Sequence, residues 1–254
     1  MAGPNAAKLA DSSRARSGAK KPVAKSVVAR KTGSAAPRKP RSGGTGAQKA
    51  DRGTPYHHGD LHEALLKAAK RVADREGING LTLRAVAREA GVSHAAPAHH
   101  FGDVTGLLSE LAAIGFQKFS AALGQAACEA GPDVMSSARA RANAYVAFAR
   151  DNPCMFQLMF RAERLDHSRP MLNEASKAAF AKLAGIVAAQ RHENLALDHL
   201  TIEQAADVAR IWSQVHGFAM LYLDGRLQHI LDATPGVTAE ELLAAMLKPA
   251  PACR

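Results

Sequence analysis

The chain has 254 residues, 47% hydrophobic but only 5% aromatic, long enough for one or two domains and apolar enough to bury a core. Its net charge of +10 is uneven: residues 1–52 hold 13 Lys and Arg against only Asp11 and Asp51, whereas residues 53–254 balance 20 basic against 21 acidic side chains. Three widely spaced cysteines, Cys128, Cys154 and Cys253, argue against a disulfide framework or structural zinc, and no apolar run suits a membrane span or a secretory signal.

Residues 1–52 are mostly Ala, Lys, Arg, Ser, Gly and Pro, too poor in large apolar side chains to offset the entropy of ordering. They are expected to be a disordered basic tail that holds polyanions loosely and in a salt-dependent way. An organelle transit peptide has a similar composition, but the prolines and glycines oppose the amphipathic helix it needs. A cytoplasmic protein is expected.

Beyond the tail, abundant alanine and few β-branched residues favour an all-α fold. Leu61, Leu65, Ala68, Ala69 and Val72 recur at helical spacing and predict a first helix. Asp60 and Glu63 have the spacing of a capping box at its start, and Gly77 with Asn79-Gly80 supplies the stop. A short second helix runs from Thr82 to Ala90 and ends at Gly91, and a third follows at once with Ser93 as its N-cap and Pro97 near its first turn. Longer helices are predicted over 104–127, 135–151, 154–164, 171–193, 201–227 and 238–248, with Thr201/Gln204 and Thr238/Glu241 as capping-box pairs.

A short helix, a glycine turn and another short helix over residues 81–100 have the grammar of a helix-turn-helix. Leu83, Val86, Ala87 and Val92 would pack the pair together. Thr82, Arg84, Arg88, Ser93, His94, Ala95, His99 and His100 are then the candidates for DNA contact. Spacing alone leaves open an ordinary αα-hairpin with a solvated polar face.

The run from Tyr56-His57-His58-Gly59-Asp60-Leu61 to Gly91-Val92-Ser93-His94-Ala95-Ala96-Pro97 resembles the TetR family of transcriptional regulators. His100-Phe101-Gly102-Asp103 looks like that family's junction into its fourth helix, and Trp212 with Val215-His216-Gly217 resembles a subgroup with a Trp-His-Gly C-terminal signature. The resemblance covers roughly 56–248. It implies a three-helix DNA-binding domain (53–103), a helical effector-binding and dimerisation domain (104–248), a short tail (249–254) and a homodimer. Such a dimer would read near-palindromic double-stranded operator DNA as a repressor released by a small molecule. The alternative is a basic-tailed architectural DNA-binding protein whose C-terminal domain only dimerises. Ala98 and Val104 depart from the family, which commonly has an aromatic residue and a lysine there as phosphate contacts, and the basic tail is expected to compensate.

Tyr145, Phe156, Met159, Phe160, Trp212 and His216 are the candidate effector pocket, suited to a largely apolar ligand with one polar handle, although core packing explains them equally well. Ala205, Val208, Ala209, Trp212, Val215, Ala219 and Tyr222 form one apolar face that suits either a dimer seam or an intramolecular core. His57, His58 and His62 lack partners at zinc spacing, so no metal is expected. Cys154, near a helix start, reads as a small buried hydrophobe rather than an activated thiolate. With no Gly-rich phosphate loop, nucleophile elbow or paired acid motif, neither catalysis nor a cofactor is expected.

Overall fold

The computed structural model describes residues 58–248, so the basic tail, Tyr56, His57 and residues 249–254 lie outside the described residues. Every regular element among the described residues is helical: α1 (His58–Gly80), α2 (Leu83–Ala90), α3 (Ala96–Phe101), α4 (Val104–Glu129), α5 (Val134–Asp151), α6 (Pro153–Met159), α7 (Pro170–Arg191), α8 (Ile202–Leu223), α9 (Gln228–Asp232) and α10 (Ala239–Met246). The all-α expectation holds.

Helix α1 begins before the expected cap. Asp60 therefore sits in its first turn, where a carboxylate complements the positive end of the helix dipole, instead of capping it. Leu65, Ala68, Ala69 and Val72 are buried, as the apolar stripe requires, and Gly77 interrupts the helix with φ 71°.

The turn between α2 and α3 follows its sequence signals on one side only. Thr82 caps α2 by accepting a hydrogen bond from the Ala85 N–H at 3.1 Å. Gly91, at φ 68°, closes it by donating to the Ala87 and Arg88 carbonyls, a backbone conformation that a side chain would strain. Ser93 does not cap α3. The helix starts at Ala96 with no side-chain hydrogen bond, and the Ser93 carbonyl accepts from the Ala96 N–H. Pro97 thus falls in the first turn, where a missing N–H leaves nothing unpaired, and its ring is buried.

Two further boundaries differ from expectation. The helix expected over 154–164 ends at Met159 and gives way to a short 3-10 turn, Ala162–Arg164. The helix expected over 201–227 ends at Leu223, because Gly225 turns the chain at φ 68° before α9. The two capping boxes form as predicted, at Thr201/Gln204 and Thr238/Glu241.

One buried cluster runs through the described residues. It joins Val86 and Phe101 of the first three helices to Leu108 and Phe119 of α4, Phe156 of α6 and Val215 of α8. Long α4 packs along both α5 and α7 and forms the spine of the fold. The apolar face read on α8 is divided: Val208, Val215 and Ala219 are buried within the chain, whereas Ala209 and Trp212 keep exposed surface. Intramolecular packing accounts for the buried half. No helix among the described residues is long and apolar enough to cross a membrane.

Candidate functional site

The α2–α3 pair presents one polar, basic face. Val86 and Ala87 are fully buried and Leu83 and Val92 partly so, which turns the rest of α2 outward. Arg84 and Arg88, one helical turn apart, are exposed and form no ion pair among the described residues, and Thr82, Ser93, His94, Ala95 and His99 are exposed beside them. His100 is half-buried, its ring 5.6 Å from that of His62, so of the predicted residues it is the least available to a nucleic acid. Glu89, on the opposite side of α2, pairs with Arg71 at 2.7 Å and Arg75 at 3.0 Å and fastens α2 to α1. The outward face therefore keeps its positive charge while the inward acid is neutralised.

A cavity of about 430 Å³ opens among α4, α5, α6, α7 and α8. Six aromatic side chains line it: Phe116, Phe119, Tyr145, Phe160, Phe180 and Trp212. Met159 contributes to the wall, and His167, Ser176 and Lys177 are its polar members. No carboxylate lines it. Of the six predicted pocket residues, Tyr145, Met159, Phe160 and Trp212 reach the cavity, whereas Phe156 and His216 lie behind its wall.

That second layer is ordered by one polar pair. Burial pushes the Tyr145 phenol well above its ordinary pKa, so it stays protonated, and its hydroxyl lies 2.9 Å from His216 Nδ1. The phenol donates, Nδ1 accepts, and the ring proton belongs on Nε2. Burial also holds His216 below the ordinary histidine pKa. The sign of the pH effect follows: below about pH 6.5 the unfolded chain takes up a proton that folded His216 resists, so this contribution to stability is lost as pH falls. His216→Gln should therefore shrink the drop in the urea midpoint between about pH 7 and about pH 5. An equal drop in both proteins would contradict it.

A second cavity, of about 470 Å³, lies between α5, α7, α8 and α10, with Arg139, Arg210, Gln214 and Lys248 on an aliphatic wall and no aromatic residue. The aromatic cavity is the better candidate for a small apolar ligand because flat, polarizable walls bury such a molecule closely. Cys154 is half-buried, its thiol donates to the Ala73 carbonyl at 3.1 Å, and burial raises its pKa. It is no activated thiolate.

Comparison with known proteins agrees with this layout. The family profile described as "Bacterial regulatory proteins, tetR family" matches residues 65–111, from within α1 to the start of α4. The profile described as "Tetracyclin repressor-like, C-terminal domain" matches residues 138–246, from α5 to α10. The chain belongs to the TetR family. A solved structure of a protein of unknown function from Rhodococcus sp. RHA1 is 34% identical, with 75% of this chain and 93% of that one covered at a TM-score of 0.61. The fatty acid degradation regulator FadR from Bacillus halodurans shares the fold alone, at 14% identity and a TM-score of 0.53 over 75% of this chain and 94% of that one. An uncharacterized HTH-type transcriptional regulator, YobS of Bacillus subtilis, is 29% identical over 99 residues, 39% of this chain. That match spans about half the length of the relative.

Within this TetR-family frame, sequence reasoning missed the α4 and α7 walls of the cavity. Phe116, Phe119 and Phe180 sit at the same helical spacing as ordinary core residues, and nothing in their periodicity separates a cavity wall from a filled interior.

Proposed function

We propose that the protein is a DNA-binding transcriptional repressor, acting as a homodimer that reads near-palindromic double-stranded operator DNA. A largely apolar small molecule in the aromatic cavity releases it. The observation that carries the reading is the outward face of α2 and α3, on which Arg84 and Arg88 of α2 form no ion pair among the described residues, backed by the buried Val86, Ala87 and Pro97 on the far side of the same two short helices. Two copies of α3 related by a two-fold axis would enter successive major grooves roughly 34–36 Å apart. Ile202 and Leu221, exposed at the two ends of α8, support a helical dimer seam on the outer side of that helix.

The subgroup signature at Trp212 and His216 gains a physical role in this reading: Trp212 meets ligand and His216 braces Tyr145 behind the wall. The family is one of regulators, and no residue in either cavity is assigned to catalysis. We place the protein in the cytoplasm, at the nucleoid. The +11 tail, outside the described residues, supplies sequence-independent attachment. Removing residues 1–52 should weaken binding to random DNA and flatten its salt dependence, and equal affinities and slopes would refute that role. The repressor reading itself is tested by footprinting on DNA upstream of the protein's own gene. A protected near-palindrome is expected, and no protection at any concentration that binds duplex would overturn it.

A further inference from the structure

The connector between α6 and α7, residues 160–169, touches the aromatic cavity and, at the other end of the fold, α1, α3 and α4 at once. Ala162 and His167 form part of the cavity wall. The same ten-residue stretch makes a series of polar contacts with the DNA-reading end of the molecule. Arg164 donates to the Asn79 side-chain oxygen at 3.1 Å, beside the α1–α2 turn. The Asp166 N–H donates to the Ser109 hydroxyl at 2.9 Å. Ser109 is fully buried on α4 and passes its own hydrogen to the Thr105 carbonyl at 2.7 Å.

Arg169 makes the decisive contact. It immediately precedes α7, and its Nη2 donates to the carbonyl of Phe101, the last residue of α3, at 3.2 Å. Its Nη1 lies 3.5 Å from Glu110, whose other oxygen meets His62 Nε2 at 2.9 Å. A guanidinium here pairs a carbonyl that the end of α3 leaves without a helical partner, and sets positive charge against the negative end of that helix. Gly106 makes room for it, since a Cβ there would overlap both the Phe101 carbonyl and the Arg169 guanidinium. From Arg169, α7 continues into the cavity wall at Ser176, Phe180 and Leu183, roughly two to four turns on.

We propose that this connector is the lever through which occupancy of the cavity reaches α3, and that Arg169 is the residue that transmits it. The proposal rests on the reading of α3 as the DNA-reading helix and of the aromatic cavity as the ligand site. A ligand that pushes His167 or the first turns of α7 outward withdraws the guanidinium from Phe101. The end of α3 then loses both its partner and its fixed orientation. Packed elements shift between discrete arrangements, so a small displacement at the cavity suffices.

The test fills the cavity covalently in the full-length protein. Ala179→Trp occupies it from a buried wall position, and Ser176→Phe does so from the half-buried polar edge if the first variant fails to fold, as thermal unfolding will show. Affinity is measured for a duplex enriched from a random pool. Filling should weaken binding about tenfold, Arg169→Ala should weaken it comparably, and the two combined should be little worse than Arg169→Ala alone. Arg169→Lys, which retains one donor for the Phe101 carbonyl, should recover part of the loss. Losses that multiply in the combined variant, or folded filling variants with unchanged affinity, would overturn the lever while leaving DNA reading intact. A parent protein that enriches no duplex would overturn the DNA-reading assignment and the lever with it.

Discussion

Phe156→Ala should destabilise the protein by about 3–5 kcal/mol, the range for removing a large aromatic side chain from a core that cannot collapse. Phe156 has no exposed surface, and its ring centroid lies 4.9 Å from that of Phe160, 5.6 Å from His216, 5.7 Å from Tyr145 and 6.5 Å from Phe119. It separates the aromatic cavity from the centre of the fold. Deleting the ring merges the new void with a hollow already about 430 Å³ in volume, so on that side there are no packed atoms to move in and fill it. In urea the midpoint should fall with little change in slope, as a loss of stability without a change in exposed surface requires. A loss below about 1 kcal/mol would mean the wall closes over the vacancy, contrary to this packing.

The largest functional effect is expected at α2. Changing both Arg84 and Arg88 to Ala removes two exposed cations from the DNA-reading face without touching the buried Val86 or Ala87 behind them. If both contact phosphate, affinity for any duplex should fall by about 10- to 100-fold near physiological salt, and the slope of log affinity against log salt should flatten by about two. Discrimination between sequences should change far less, because phosphate contacts position a protein without reading bases. Arg139→Ala, on α5 far along the chain, is the matched control and should leave both quantities alone. An unchanged salt slope in the double variant would remove α2 from the interface.

The parts of the fold legible in the sequence are those whose local chemistry has a single outcome. Gly91 ends α2 because it supplies a left-handed backbone, and it does so in the structure, whereas Thr82, read only as the first residue of that helix, stands one place before it as the cap. The start of α3 was not legible: no side chain caps it, and Ser93 offered a plausible cap that the chain does not use. Similarly, Met159 and Phe160 continue an apolar helical pattern. It is tertiary contacts, from Ser109 and Asn79 to the connector, that accompany the change to a different backbone there.

The cavity shows the same limit from the other side. Trp212 and His216 are one helical turn apart, so sequence places them on one face, yet Trp212 lines the hollow and His216 stands behind Tyr145. Three of the seven residues of the apolar α8 stripe, Val208, Val215 and Ala219, likewise went to the core. Periodicity identifies a face that must be covered. It does not say whether a neighbouring helix, a ligand or a second chain covers it. Arg169 with Pro170 marked a helix start, but its contact role carried no sequence signal, since that role exists only where Gly106 admits it to the end of α3.

The central claim is that the face built by α2 and α3 reads sequence. Its most direct test is selection of duplexes from a random pool by the full-length protein, followed by titration of the enriched and a scrambled duplex at one fixed salt concentration. The account predicts enrichment of two inverted half-sites centred about one helical turn apart or somewhat more, bound at least about 10³-fold tighter than the scrambled duplex. Equal affinity for the two, with no motif enriched, would contradict it.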